Sequence, residues 1–225
     1  MRRSGVAVFV VLTLSSVVRP DADAQTVERT IALTSPVDLE ARGVKVEAAS
    51  YRGRTAVHGT GVPVNALAGL AVLKGSTFKD GTIEVDLAGA PEAGAFEGAR
   101  GFVGIAFRLN GDKYECFYLR PTNGRSDDQL RRNHSTQYVS EPAFPWQKLR
   151  QDSPGVYESY VDLEPGAWTK VKIVVAGTKA RLFVHDAPQP ALVVNDLKLG
   201  ETQGAVALWI GPGTEAHFSN LRITR

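Results

Sequence analysis

A period of two in the hydrophobic pattern constrains this chain more than any other feature. In Thr82–Leu87, Ile83, Val85 and Leu87 fall on one side, and Thr82, Glu84 and Asp86 on the other. Lys170-Val171-Lys172-Ile173 repeats the alternation. Successive strand side chains point to opposite faces, so this pattern marks strands with one buried face. Beyond the N-terminal segment no long run carries helical spacing. Further strands are expected at 28–33, 44–49, 54–58, 69–73, 101–109, 113–120, 156–162, 179–185, 191–195, 204–210 and 215–223. Turn residues separate them: Asn110-Gly111-Asp112, Gly177-Thr178, Gly200 and Gly211-Pro212-Gly213. Asn-Gly between two such runs is a hairpin signal. Many short strands with frequent turns pack as an all-β sandwich or barrel.

The N-terminus has a different character. Arg2 and Arg3 precede an apolar stretch from Val6 to Val18, and Ala22-Asp23-Ala24 follows. A basic start, an apolar middle and small residues at the end make a signal peptide over 1–24, with Gln25 as the first mature residue. The 13-residue stretch falls short of the roughly 20 residues that cross a bilayer. No cysteine stands directly after it, which argues against a lipid anchor. The expected product, 25–225, is one secreted or periplasmic domain of bacterial type, with no membrane attachment after cleavage. Losing three arginines and two aspartates with the leader leaves 23 basic and 22 acidic residues. That balance argues against a nucleic-acid partner. Cys116 is the single cysteine, so the domain must hold together by burial without an internal disulfide.

One stretch breaks the regular strand spacing. Residues 121–155 are polar and basic, with Pro121, Pro142, Pro145 and Pro154, and read as a long loop. Around it stand Arg120, Arg125, Arg131, Arg132, His134, Lys148 and Arg150, interleaved with Tyr138, Phe144 and Trp146. Tyr114, Cys116, Tyr118 and Arg120 share one strand face by alternation. Arg108 joins that face or leaves it according to the length of the Asn110 turn.

The runs Gly101-Phe102-Val103-Gly104-Ile105-Ala106-Phe107-Arg108 and Tyr114-Glu115-Cys116-Phe117-Tyr118-Leu119-Arg120-Pro121 resemble secreted bacterial proteins of the concanavalin A-like lectin/glucanase superfamily. So do Arg131–Tyr138, Gly166–Val174, Gly204–Gly211 and Phe218–Ile223, which also look like laminin-G-like and 3-keto-disaccharide hydrolase domains. The resemblance covers about 80–225 well and implies a jelly-roll sandwich of two antiparallel sheets, one curved, with a glycan on its concave face. It also implies that calcium can be present, although no Asp-rich loop here has a calcium-motif spacing. One such sandwich hosts lectins, hydrolases and adhesion modules, so function must come from the site.

Related glucanases carry paired carboxylates on one strand as Glu-x-Asp-x-x-Glu. Here Glu84-Val85-Asp86-Leu87-Ala88-Gly89 lacks the last carboxylate. Arginine forks and aromatic rings suit sugars, and bidentate arginine suits acidic ones. Arg108, Tyr118, Arg120, Arg132, His134, Tyr138 and Trp146 are therefore the expected carbohydrate-binding residues. No complete catalytic set is visible; His134 and Glu158 are the best acid/base candidates. The remaining histidines, His58, His185 and His217, are scattered, and no transition-metal site is expected. Cys116 is expected to be a buried inert thiol, and Trp168 and Trp209 to fill the core. The principal expectation is a glycan-binding protein that uses a concave sheet face and the 120–150 loop. The alternatives are a glycoside-cleaving enzyme resembling the 3-keto-glycoside hydrolases and a laminin-G-like protein-interaction module.

Overall fold

The alternating segments assemble into two antiparallel sheets packed face to face. The computed structural model describes Met1 and residues 27–225, so the leader expected at 1–24, Met1 apart, lies outside the described residues. The first sheet runs β13 (Leu192–Val194), β12 (Lys179–Val184), β11 (Thr169–Ala176), β6 (Gly81–Pro91), β15 (Thr214–Thr224), β4 (Arg54–Thr60), β3 (Lys45–Tyr51). An eighth strand, β1 (Glu28–Ile31), pairs with the end of β15. The second sheet runs β10 (Glu158–Ser159), β9 (Thr136–Glu141), β8 (Lys113–Leu119), β7 (Val103–Asn110), β14 (Ala205–Ile210), β5 (Gly69–Leu73), β2 (Leu39–Arg42). Two short helices, α1 (Gln129–Asn133) and α2 (Trp146–Asp152), lie on either side of β9 in sequence.

The core lies between the sheets. Ile83, Val85 and Leu87 of β6, Ile173 of β11 and Phe218 of β15 are buried on one side. Ile105, Phe107, Phe117, Leu119 and Leu208 are buried on the other. Each such side chain contributes about 1.5–3 kcal/mol on burial, which is how a sandwich of this size dispenses with disulfides. Cys116 is fully buried, and burial pushes its thiol well above the usual range. Among the described residues, no helix is long and apolar enough to cross a membrane.

The expected loop 121–155 is largely ordered secondary structure. It contains α1, the fully buried strand β9 and α2. In β9 each face carries one apolar residue between two polar ones: Tyr138 between Thr136 and Ser140, and Val139 between Gln137 and Glu141. Polar groups buried on both faces hide the period of two. The strand expected at 156–162 shortens to β10, and β2 was not foreseen.

The Asn110 hairpin forms with a twist in its register. Asn110 pairs with Lys113 across Gly111, whose φ is +63°. A bulge between Phe107 and Asn110 sets Arg108 and Leu109 against Tyr114 alone. Arg108 takes φ +54° there, and its side chain turns away from the Tyr114 face.

Candidate functional site

The site is built on the outer face of the seven-stranded sheet. Phe117 and Leu119 of β8 point into the core, so Tyr114, Cys116 and Tyr118 point outward. On that face Tyr118 stacks on Trp209 of β14, with ring centres 4.5 Å apart and planes at 18°. Gly104 of the intervening strand β7 pairs with both residues. A Cβ at Gly104 would lie 2.2 Å from the Phe117 carbonyl oxygen and 2.6 Å from Tyr118 Cβ. Glycine is thus what lets the two rings meet over the middle strand. The indole Nε1 of Trp209 donates to the Tyr114 hydroxyl at 3.2 Å.

Where β8 ends, Arg120 anchors a buried polar centre. Its guanidinium donates to the Tyr118 hydroxyl at 2.8 Å, to Gln137 Oε1 at 3.0 Å, to Glu158 Oε1 at 3.0 Å and to the His134 carbonyl at 3.1 Å. Glu158 also accepts both forks of Arg150, and its Oε2 lies 3.4 Å from His134 Nε2. Burial works against the Glu158 charge, but the bonds from Arg150 and Arg120 outweigh it and hold the carboxyl below the usual range. Burial, with the Arg150 and Arg120 charges, lowers the His134 pKa although Glu158 pulls it up.

Two adjoining hollows open over this centre. The cationic one, about 360 Å³, is lined by Arg100, Arg120, Arg131, His134 and Arg150, with Asn123 and Asp128 at its side. The aromatic one, about 440 Å³, is lined by Phe96, Tyr118, Trp209 and Glu141. Gly98, Phe102 and Trp146 belong to both. Trp146 is 37% exposed and sits one turn before Arg150 on α2, whose guanidinium lies 4.6 Å from the ring centre. Arg100 donates to the Glu97 and Ala99 carbonyls, and Arg131 to Asn123 Oδ1 and Thr122 Oγ1. Among the described residues neither guanidinium forms an ion pair with a carboxylate, although Asp128 accepts from the Arg131 backbone N–H at 3.0 Å. Burial, and next the Arg131 charge, lowers the Arg100 pKa. Glu141 stands at the end of β9, its Oε2 buried without a hydrogen-bond partner among the described residues, and burial raises its pKa.

Four of the expected binding residues converge here: Tyr118, Arg120, His134 and Trp146. Arg108 does not. It is fully buried elsewhere, donating to the Lys79, Gly177 and Gly200 carbonyls and to Asp80. Tyr138 does not either, because its register opposite Phe117 points it into the core, where its hydroxyl donates to Glu115 at 2.5 Å. Arg132 lies outside both hollows and packs on Tyr160, 5.3 Å from the ring centre. Glu158 accepts from two guanidiniums, which hold its carboxyl in the ionised form between them. Glu84 and Asp86 are on the other sheet, paired with Arg222 and Arg54. Trp168 is only half-buried, edge-on to Tyr51, whereas Trp209 is buried and also walls the aromatic hollow.

Arg100 carried no signal in the sequence, and Arg131, Glu141 and Arg150 stood there only as charges of the 120–150 loop. The i, i+4 spacing of Trp146 and Arg150 was the available signal, but only once α2 is known to be a helix. Two histidines that looked scattered are neighbours: His58 and His217 pair across β4 and β15. With Glu215 they form a grouping of metal-capable side chains, two nitrogen donors and one carboxylate. Calcium takes six to eight oxygen ligands, so this donor set does not fit it.

The sequence matches no protein-family model and no curated protein. Solved structures do resemble it in shape. The carbohydrate-binding module CBM66 from Bacillus subtilis aligns at TM-score 0.54 and 12% identity, over 80% of this chain and 95% of that one. A Bacillus subtilis protein with a galectin-like fold aligns at 0.55 and 12%, over 87% and 94%. Lectin II from Ulex europaeus aligns at 0.56 and 8%, over 88% and 98%. Two antiparallel sheets in this arrangement, shared with such modules and lectins, give the chain the concanavalin A-like jelly-roll fold.

Proposed function

We propose that this protein recognises carbohydrate in the double hollow on the seven-stranded sheet, and that its ligand carries an acidic group. The observation that carries this reading is Trp146, an exposed indole standing between a guanidinium cluster and an aromatic-walled hollow. A sugar ring lays its C–H face on such an indole. Arg100 and Arg131, whose guanidiniums form no carboxylate ion pair among the described residues, would donate to a uronate or sulfate beside it. The structures of similar shape include a carbohydrate-binding module and a lectin, which supports the reading. The leader composition supports a place outside the cytoplasm, where such glycans occur.

A glycan array run beside a product assay on the same ligands tests this. The expected result is saturable binding of uronate-bearing or sulfated oligosaccharides without cleavage. Trp146→Ala and Arg131→Ala should each weaken it about tenfold, or roughly 1.4 kcal/mol. No bound glycan, or parent-like binding by both variants, overturns the proposal. Glu141 favours a second reading as an enzyme, because a buried carboxyl with a raised pKa at the wall of a cleft can donate a proton. Product formation that disappears in Glu141→Gln would replace the binding-only reading with that one.

A further inference from the structure

A second constellation lies on the other sheet, on its outer face. Ala216 and Phe218 of β15 are buried in the core, which turns Glu215 and His217 outward. His58 on β4 is the cross-strand partner of His217, and Glu47 on β3 is the partner of His58. The two imidazoles lie face to face, with ring centres 4.5 Å apart and planes at 11°. Tyr51 stacks on the other side of His217 at 3.7 Å and 8°, and its hydroxyl is tied to the Gly166 carbonyl. The stack therefore holds the two imidazoles against one another on this face.

The hydrogen bonding leaves one lone pair unaccounted for. His58 Nδ1 lies 3.3 Å from Glu47 Oε1. An ionised carboxylate only accepts, so Nδ1 carries the proton in the neutral ring. His58 Nε2 is then an unprotonated acceptor. It is buried and, among the described residues, has no hydrogen-bond partner. What it faces is another acceptor, Glu215 Oε1, at 3.7 Å; His217 Nε2 is 4.0 Å from that same oxygen. Two acceptors facing each other repel unless a proton or a metal ion sits between them.

We propose that His58, His217 and Glu215 bind a divalent transition ion of the zinc class. Imidazole nitrogens with one carboxylate, and a fourth position left to water, are a donor set that suits zinc. The ligand atoms already lie within 4.8 Å of one another. Zinc bonds of 2.0–2.1 Å hold tetrahedral ligand atoms roughly 3.3 Å apart, so closure needs about 1.5 Å of movement shared between side chains. The Glu215 side chain, 44% exposed, can supply its part, and the two imidazoles must turn out of their face-to-face stack so that both nitrogens point at the ion. Glu47 completes the pattern as the outer carboxylate that orients a metal-bound histidine and fixes its tautomer. The site lies on the opposite sheet from the sugar hollow and stands independently of the carbohydrate reading.

The test uses tag-free protein, treated with chelator and titrated with Co²⁺ and then Zn²⁺. One Co²⁺ per chain with the intense visible bands of tetrahedral coordination, displaced by one Zn²⁺, is the expected result. His58→Gln and His217→Gln should each lower Zn²⁺ affinity at least about tenfold. Glu47→Gln, a positioning change, should lower it about tenfold while keeping the tetrahedral spectrum. If the parent shows no tetrahedral Co²⁺ spectrum, the proposal is overturned, and His58 Nε2 is then satisfied by a proton. Equal Zn²⁺ uptake by the parent and a folded His58→Gln/His217→Gln double variant overturns it as well.

Discussion

Arg108 and Arg120 are both buried guanidiniums, and they differ in what they meet. Arg108 meets three backbone carbonyls and Asp80, and so ties together the chain segments at one end of the sandwich. Lysine cannot reproduce that fork. Arg108→Lys should cost about 3–5 kcal/mol in urea unfolding, with glycan affinity of the folded variant unchanged. Arg120 meets Glu158, which also holds Arg150. Glu158→Gln should cost roughly 3 kcal/mol, because it leaves Arg120 without its counter-charge. The folded Glu158 pKa is lowered, so its stabilisation is present above the ordinary glutamate range, about 4.3, and fades as pH falls through the folded value. Parent and variant stabilities should therefore converge in acid; a gap that stays constant with pH would count against this assignment. Glu141 has the opposite sign. Burial raises its pKa, so its ionisation opposes folding as pH rises above the ordinary range. Glu141→Gln should be more stable than the parent at pH 8 and no different near pH 3.

At the scale of elements, the site depends on two strands that let side chains through and one helix that presents them. Gly104 in β7 leaves room for Tyr118 and Trp209 to stack across it. Gly104→Ala should cost about 1–3 kcal/mol by overpacking. In a chain of this size that is about 2–4 °C of Tm per kcal/mol, with a loss of near-ultraviolet circular dichroism from the separated rings. Strand β9 brings Gln137 to Arg120 and Glu141 to the aromatic hollow. Helix α2 places Trp146 and Arg150 one turn apart, so that ring and guanidinium face the same cleft. These contributions were poorly legible in advance. The strands with one polar face, such as β6 and β11, announced themselves, whereas β9 buries polar residues on both faces and read as loop.

On the scale of the whole molecule, charge is nearly balanced, yet the cationic hollow concentrates four arginines. An acidic ligand there would be attracted only locally, in contact with solvent. Raising salt from about 0.05 to 0.5 M shortens the screening length from above 10 Å to about 4–5 Å. Affinity for an acidic oligosaccharide should fall several-fold over that range, measured by titration calorimetry, while a neutral analogue should bind with unchanged affinity. The buried Arg120–Glu158 pair is shielded from ions, so Tm should stay nearly constant over the same range.

The sequence by itself determined the class of fold and most of its strands. Alternation is a local property, and each one-sided strand carries its own record of which face is buried. It also marked Tyr118, Arg120, His134 and Trp146 as a basic and aromatic group worth a ligand. Which arginines face a cleft was decided by the tertiary structure alone. A one-residue bulge sent Arg108 to the end of the sandwich, and strand register turned Tyr138 inward. The partnership of His58 with His217, 159 positions apart, exists only because β4 and β15 pair. Such contacts depend on register and sheet order, which arise from the packing of distant segments and leave no trace in any short stretch of chain.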